Sequence, residues 1–423
     1  MPSLHCMQSG KVTESKTIKL QRILFPKTTG PRTASPPSGE SHRSLNLITC
    51  PRTVWIYQNY IVLLVSEQLL MKILGIESSC DETAAGIVNY DGMVLSNVIS
   101  TQIDIHARYG GIVPEVASRQ HVLDIRPVCE QAIKEAGIQW PDVDVVAVTH
   151  GPGLAGSLIV GLNFAKGLSA SLGVPLVGVN HMDGHVYGAW ARSSGEQLMP
   201  FQKSVGHKPI LCLVVSGGHT ELVILERHGK FRLLGETRDD AAGEAFDKVA
   251  RVLGLRYPGG PEIQRVAADS SADVEPLPRA WMRGSDEFSF SGLKTAVINR
   301  AKSLGIYPLK NPRQDIDPQA VSDLARAFQD SVVDVLVTKT IAAAERENCS
   351  GIILVGGVAA NKSLRETLVL RSPRPVAIPP ISLCTDNGAM IAMSGLINYR
   401  NGRRDNWTLD VIPNLRIGAA PVM

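Results

Sequence analysis

This chain of 423 residues predicts a mixed α/β fold made of two lobes of related design. Three observations carry that expectation. A meander of strand, polar loop, strand, tight turn and strand occurs twice. Helices and apolar strands alternate between the two meanders. Glycine-rich breaks join several of these strands to helices, as in strand–loop–helix units that bind anions.

The first meander starts with Ile73, Leu74 and Ile76 and runs into the polar loop Glu77-Ser78-Ser79-Cys80-Asp81-Glu82-Thr83. Residues 84–89 read as its second strand, Asn89-Tyr90-Asp91-Gly92 as a hairpin turn and residues 93–99 as the third strand. The second meander repeats the order: strand 210–215, loop Ser216-Gly217-Gly218-His219-Thr220, strand 221–225, a turn at 227–230 and strand 231–234. Between them, residues 118–136 predict a helix and 143–149 an apolar strand of parallel-sheet type. The strand breaks at Gly151-Pro152-Gly153 before a helical stretch at 158–172. A strand at 174–179 then delivers the motif Asn180-His181-Met182-Asp183-Gly184-His185. Later come an insertion at about 237–318, a helix at 323–348 and a buried strand at 352–355. That strand ends in Gly356-Gly357, and Cys384-Thr385-Asp386-Asn387-Gly388 opens a last helix. The expected organisation is an extension at 1–70, lobes at 71–205 and 206–400, and a tail at 401–423.

The composition, 44% hydrophobic and 20% charged, is that of a soluble globular protein with room for two domains. The net charge is +3. Of the 43 Lys/Arg and 40 Asp/Glu, eight and three fall in residues 1–70, which leaves residues 71–423 at −2. Bulk charge therefore does not signal nucleic-acid binding, which would need a local patch or a partner. The seven cysteines are scattered without a CxxC pair, which suits free, mostly buried thiols in a reducing compartment. No run of about 18 apolar residues suggests a membrane span. Residues 1–53 are rich in Ser, Thr, Pro and basic residues and are expected to be disordered. Met71 begins a clean strand, so the extension reads as a mis-assigned start, with a transit peptide as the alternative. The expected location is cytoplasmic, or mitochondrial or plastid if a transit peptide is present.

His181 and His185 lie at i and i+4, on one face of a helix, and can bind one metal ion. The pair lacks the glutamate of HExxH proteases, since Met182 follows His181. Asp386, at a polar loop entering a helix, is the candidate third ligand, with helix capping as the bland alternative. Such a set suits Fe(II) or Zn(II). Ser216, Gly217 and Gly218 let backbone approach a phosphate. Asp247 is a candidate for ribose hydroxyls or a solvated helix residue. Gly260 closes a rigid turn whose N–H faces a ligand in the functional reading. Asn361 either bonds an adenine or caps a helix. Phe288-Ser289-Phe290-Ser291-Gly292-Leu293-Lys294-Thr295 either lines a substrate path or anchors a loop. Asp81 is the candidate proton acceptor, or an ordinary loop acid.

Six of these runs, in order, closely resemble the tRNA N6-adenosine threonylcarbamoyltransferases in their bacterial or organellar form. They are the stretch from Gly75 to Thr83, the His181/His185 motif, Val215 to Thr220, Phe246-Asp247-Lys248, Phe288 to Thr295 and Cys384 to Met390. The resemblance implies an actin-like, Hsp70-like ATPase fold of two ribonuclease-H-like lobes with a ligand cleft between them. It implies transfer of a threonylcarbamoyl group from threonylcarbamoyl-AMP to N6 of the adenosine 3′ of the anticodon, in tRNAs reading codons that begin with adenine. On this resemblance His181, His185 and Asp386 become ligands to iron, with zinc as the alternative. Val214, Val215, Ser216, Gly217, Gly218, Asp247, Gly260 and Asn361 become contacts to the adenylate. The implied partners are the tRNA anticodon loop, an inactive paralogue and a small P-loop ATPase. The rival readings are a metalloprotease and a sugar kinase or chaperone-like ATPase. The first lacks a water-activating base beside His181, and the second typically places acidic residues and magnesium at the phosphates.

Overall fold

The structure, a computed structural model, describes residues 52–57, 60–65, 71–271, 273–308 and 316–418. Residues 1–70 and 71–423 form two units. In the first, strands β1 (Arg52–Tyr57) and β2 (Tyr60–Val65) pair antiparallel, from Arg52 opposite Val65 to Tyr57 opposite Tyr60. This hairpin lies within the expected extension at 1–70. Its residues are largely β-branched and aromatic, which suits a pleated pair. The rest of that extension, and residues 419–423 of the tail, lie outside the described residues.

The second unit opens with the first meander, β3 (Lys72–Glu77), β4 (Glu82–Asn89) and β5 (Val94–Thr101), followed by β6 (Val145–Gly151) and β7 (Leu176–Asn180). Their order in the sheet is β5-β4-β3-β6-β7, with β3 antiparallel to β4 and parallel to β6. The second sheet contains β8 (Ile210–Val215), β9 (Thr220–Arg227), β10 (Lys230–Glu236), β11 (Ile352–Val355) and β12 (Val376–Ala377). Its order is β10-β9-β8-β11-β12, with β8 antiparallel to β9 and parallel to β11. The two sheets match strand for strand, so the expected α/β fold of two related lobes is borne out.

Helices α1 (Ile103–Ala107), α2 (Pro114–Glu135), α3 (Ala155–Leu172), α4 (His181–Gly188) and α5 (Pro200–Lys203) accompany the first sheet in sequence. The second carries α6 (Ala242–Val252), α7 (Gly259–Ala267), α8 (Ser291–Ser303), α9 (Pro318–Arg346) and α10 (Lys362–Arg371), and the last helix is α11 (Gly388–Arg400). The strand period of two sorts the core into layers. On β3, Leu74 and Ile76 pack with Ile125 and Cys129 of α2 and Leu162 of α3. Ile73 joins a central layer with Met182, Val186 and Leu396. On β8, Val214 points into the same central layer, whereas Leu213 and Val215 pack with Phe246 and Phe328 on the far side. Strands covered on both faces need apolar residues throughout, and all six residues of β8 are buried.

One boundary needs correction. The second lobe was expected to span 206–400, but α11 packs across β3, β4, β5, β6 and β7 of the first sheet. The helix is rich in small residues, and Gly388 brings its start against the backbone of β4. The tail then follows β7 and β6. Asp405 N donates to Leu176 O at 2.9 Å, Gly178 N donates to Asp405 Oδ2 at 2.7 Å, and Ile412 N donates to His150 O at 2.8 Å. Among the described residues no helix is long and apolar enough to cross a membrane. The described cysteines, Cys80, Cys129, Cys212, Cys349 and Cys384, are free.

Candidate functional site

The histidine pair sits on α4, whose first turn is closed by Asn180. Its side-chain oxygen accepts from Met182 N at 2.8 Å, and its amide nitrogen donates to Arg416 O at 2.9 Å. This cap fixes the helix start, so His181 and His185 project from one face. Both are buried, at 7% and 1% exposure. Their rings meet edge to face with centroids 4.7 Å apart.

Asp386 reaches them from the loop before α11. Its Oδ1 stands 3.1 Å from His185 Nε2 and 3.4 Å from His181 Nε2. One ligand atom from each of the three residues lies within 4.8 Å of the others. Capping, the bland alternative for Asp386, belongs to its neighbour: Asn387 Oδ1 accepts from Met390 N at 2.9 Å, and Asn387 Nδ2 donates to Thr385 O at 2.8 Å. The Asp386 carboxylate is thereby left to face the imidazoles.

The donor set fits a divalent cation on one geometric test. His185 Nε2 is buried and makes no hydrogen bond, despite its proximity to Asp386 Oδ1. Donor atoms that converge without hydrogen-bonding one another are arranged as ligands around a shared ion. Two imidazoles and a carboxylate are also the ligand types that iron and zinc take. The electrostatics agree. Burial raises the Asp386 carboxyl, but the two imidazoles more than reverse this and hold it well below the usual carboxylate range. Burial disfavours charge on His181, yet Asp386 and Glu77 hold it well above the ordinary histidine value. Nearby, Glu82 is pushed well up by burial first and then by Asp386 and Asp81, so negative charge is dense here.

Behind His181 lies a residue to which the sequence reading assigned no role. Glu77, at the end of β3 and fully buried, places Oε2 2.9 Å from His181 Nδ1. Thr149 Oγ1 donates to the same oxygen at 2.6 Å. The available signal was an acidic residue ending an otherwise apolar strand. His219 is a second such residue. Burial first, then His181 and His185, push it down to about 4, which puts it in the field of the cluster from the second lobe.

The other candidates divide by location. The Ser216–His219 turn is tied by Ser216 N donating to His219 O at 2.8 Å and His219 N donating to Ser216 Oγ at 3.1 Å. Gly243 N of α6 donates to Ser216 O at 3.1 Å. Gly217 and Gly218 are exposed, and a Cβ on either would meet no atom within 4 Å. Among the described residues their N–H groups find no protein acceptor, so they are open to an anion. Val214 and Val215 are fully buried, which limits any contact they make with a ligand to backbone atoms. Asp247 Oδ1 accepts from Gly259 N at 2.7 Å, at the start of α7, and burial raises this carboxyl. A side chain at Gly260 would also meet open space. Asp81 is 8% exposed; burial first raises Asp247 and Tyr257, and the Asp81 charge adds to this, so Asp81 stands in electrostatic reach of the second lobe.

Two candidates have structural duties. Asn361 caps α10, its Oδ1 accepting from Leu364 N at 3.0 Å, and its Nδ2 donates to Gln329 Oε1 at 2.8 Å. Each end of the amide makes one of these bonds and keeps a second hydrogen or lone pair. In the Phe288–Thr295 run, Phe288 and Phe290 are buried core rings, and Lys294 Nζ pairs with Asp240 at 2.5 Å.

Fold and site together define a two-lobed α/β protein with a His–His–Asp cluster of two buried imidazoles and a half-buried carboxylate, and an open glycine turn. The profile of the tRNA N6-adenosine threonylcarbamoyltransferases matches residues 93–393. An enzyme of that name from Dehalococcoides mccartyi is 53% identical over 347 residues, which is 82% of this chain and 99% of the relative. Its counterpart from Bacillus subtilis is 48% identical over 358 residues, covering 84% and 98%. Among solved structures, (R)-2-hydroxyglutaryl-CoA dehydratase component A from Acidaminococcus fermentans aligns with a TM-score of 0.46 at 13% identity, covering 78% of this chain and 98% of that one. The chain belongs to the tRNA N6-adenosine threonylcarbamoyltransferase family.

Proposed function

We propose that this protein transfers the threonylcarbamoyl group of threonylcarbamoyl-AMP to N6 of the adenosine 3′ of the anticodon, forming N6-threonylcarbamoyladenosine in tRNAs that read codons beginning with adenine. The observation that carries this reading is the convergence of His181, His185 and Asp386 at one point in a member of this family. We assign those three residues as ligands to one divalent cation, iron in preference to zinc. Bound there, the cation supplies Lewis acidity toward a phosphate or carbonyl oxygen of the donor.

The donor is a mixed anhydride and already activated. The adenosine nitrogen forms a bond to the carbamoyl carbon, and the carbon–oxygen bond to phosphate breaks. AMP leaves with the electron pair, and N6 loses a proton. The protein's task is to position the two substrates and to stabilise charge that grows on the leaving phosphate. The free N–H groups of Gly217 and Gly218 suit that phosphate. The second oxygen of Asp247 remains for a ribose hydroxyl, and the open edge at Gly260 admits the nucleoside. Asp81 is assigned as the proton acceptor for N6. An adenosine in a single-stranded loop can be turned into the site at modest cost. Because residues 71–423 lean acidic, tRNA binding is shared with a partner, for which we propose an inactive paralogue and a small P-loop ATPase. We place the reaction in the cytoplasm.

The test is mass spectrometry of unmodified tRNA incubated with the protein, these partners, threonine, bicarbonate, ATP and the donor-forming enzyme. A threonylcarbamoyl mass increment that disappears in Asp386→Ala is the expected result. Peptide cleavage lost in His181→Ala, with no change in tRNA mass, would replace this reading with a protease.

A further inference from the structure

The two histidines have unequal surroundings. All the groups directed at Glu77 are donors or can act as donors. Ser79 N donates to its Oε1 at 2.5 Å, Thr149 Oγ1 donates to its Oε2 at 2.6 Å, and His181 Nδ1 lies 2.9 Å from that same oxygen. A carboxyl served by two other donors acts as an acceptor, so the imidazole nitrogen facing it carries the proton. His181 then keeps a proton on Nδ1, which leaves Nε2, the nitrogen facing Asp386, as the one that can give up its proton and ligate. His185 has no equivalent partner: its Nδ1 is buried and makes no hydrogen bond.

We infer that Glu77 is a positioning residue that sets the tautomer and orientation of His181, making His181 the preorganised anchor of the cluster and His185 its exchangeable member. The inference rests on the metal-centre reading above. A buried carboxylate hydrogen-bonded to the far nitrogen of a ligating histidine locks the ring and raises its basicity, and its loss typically costs about 10–100-fold in metal affinity. Because Glu77 sits on β3 and Thr149 on β6, the lock is built into the centre of the first sheet. It does not depend on the second lobe.

The test uses the full-length protein stripped of metal. Zinc affinity is measured by competition with a chromophoric chelator, and the His181 tautomer is read from side-chain ¹⁵N shifts at alkaline pH, where the ring carries a single proton. Glu77→Gln is expected to weaken zinc binding by about 10–100-fold and to shift His181 away from a single Nδ1–H form. His185→Ala should leave that tautomer unchanged while also weakening the metal. If Glu77→Gln does not fold, Thr149→Val, which removes one donor to the same oxygen, should show a smaller loss in the same direction. Unchanged affinity and an unchanged His181 tautomer in whichever variant folds would overturn the inference. Zinc binding that survives in both His181→Ala and Asp386→Ala would instead remove the metal centre, even if the tautomer of His181 follows Glu77.

Discussion

Gly388 stands so close to Gly86 that a Cβ on Gly388 would lie 2.1 Å from the Gly86 nitrogen. The contact joins the first turn of α11 to β4, and it fixes where the loop carrying Asp386 emerges. Replacing Gly388 with Ala forces backbone against backbone, with no flexible side chain to yield. Overpacking of this kind costs about 3 kcal/mol. Gly388→Ala is expected to lower the urea midpoint accordingly and to reduce zinc binding, because Asp386 moves with the helix. A variant with wild-type stability and full zinc affinity would show that the helix has room to shift.

Asn361 offers a separation between packing and recognition. Its amide is committed to Leu364 N and to Gln329 Oε1. Asn361→Ala should therefore destabilise the fold by about 1–2 kcal/mol, from the lost cap and the stranded glutamine. The KM for threonylcarbamoyl-AMP should change little. A large rise in KM with unchanged thermal stability would show that Asn361 contacts the base.

Metal uptake should depend on pH in a stated direction. In the metal-free fold Asp386 and Glu77 favour a proton on His181, against the opposing effect of burial. A cation must displace that proton, so binding strengthens as pH rises. Titration at about pH 6 and pH 8 is expected to give weaker zinc binding at the lower value. Equal affinities at both would falsify the assignment of His181 as a ligand.

Glu221 predicts a pH dependence of stability away from the cluster. Burial first, and then the negative charge of Glu236, push its carboxyl from the usual 4.5 up to about 7, against the opposing pull of Arg416. The folded state therefore holds a proton that the unfolded chain has released between those values. Stability from this group is complete below about 4.5 and is lost as pH rises toward 7. Glu221→Gln should flatten that slope and gain on the order of 1–3 kcal/mol at pH 8 relative to wild type. Parallel slopes for the two proteins in urea melts across this range would exclude the effect.

Much of the architecture could be read without coordinates. The expected strand 352–355 matches β11 residue for residue. The helices expected at 118–136 and 158–172 begin a few residues early, at Pro114 and Ala155, because N-terminal turns carry little apolar periodicity. The histidine pair was legible because i,i+4 spacing is a local property of one helix. The cap at Asn361 was legible for the same reason, but its second partner Gln329, like the Asp240 partner of Lys294, lies far away along the chain, where no local pattern names it.

Local periodicity and motif spacing, then, were enough to set out two matched lobes, the histidine pair and the glycine turn, because each depends on neighbours a few residues apart. Packing between distant segments settled the remainder. It laid α11 on the first sheet, brought Asp386 to the two imidazoles, and set Glu77 behind His181. Those outcomes turn on which backbone atoms and carboxylates meet across a hundred residues or more, and on burial that only the assembled layers create.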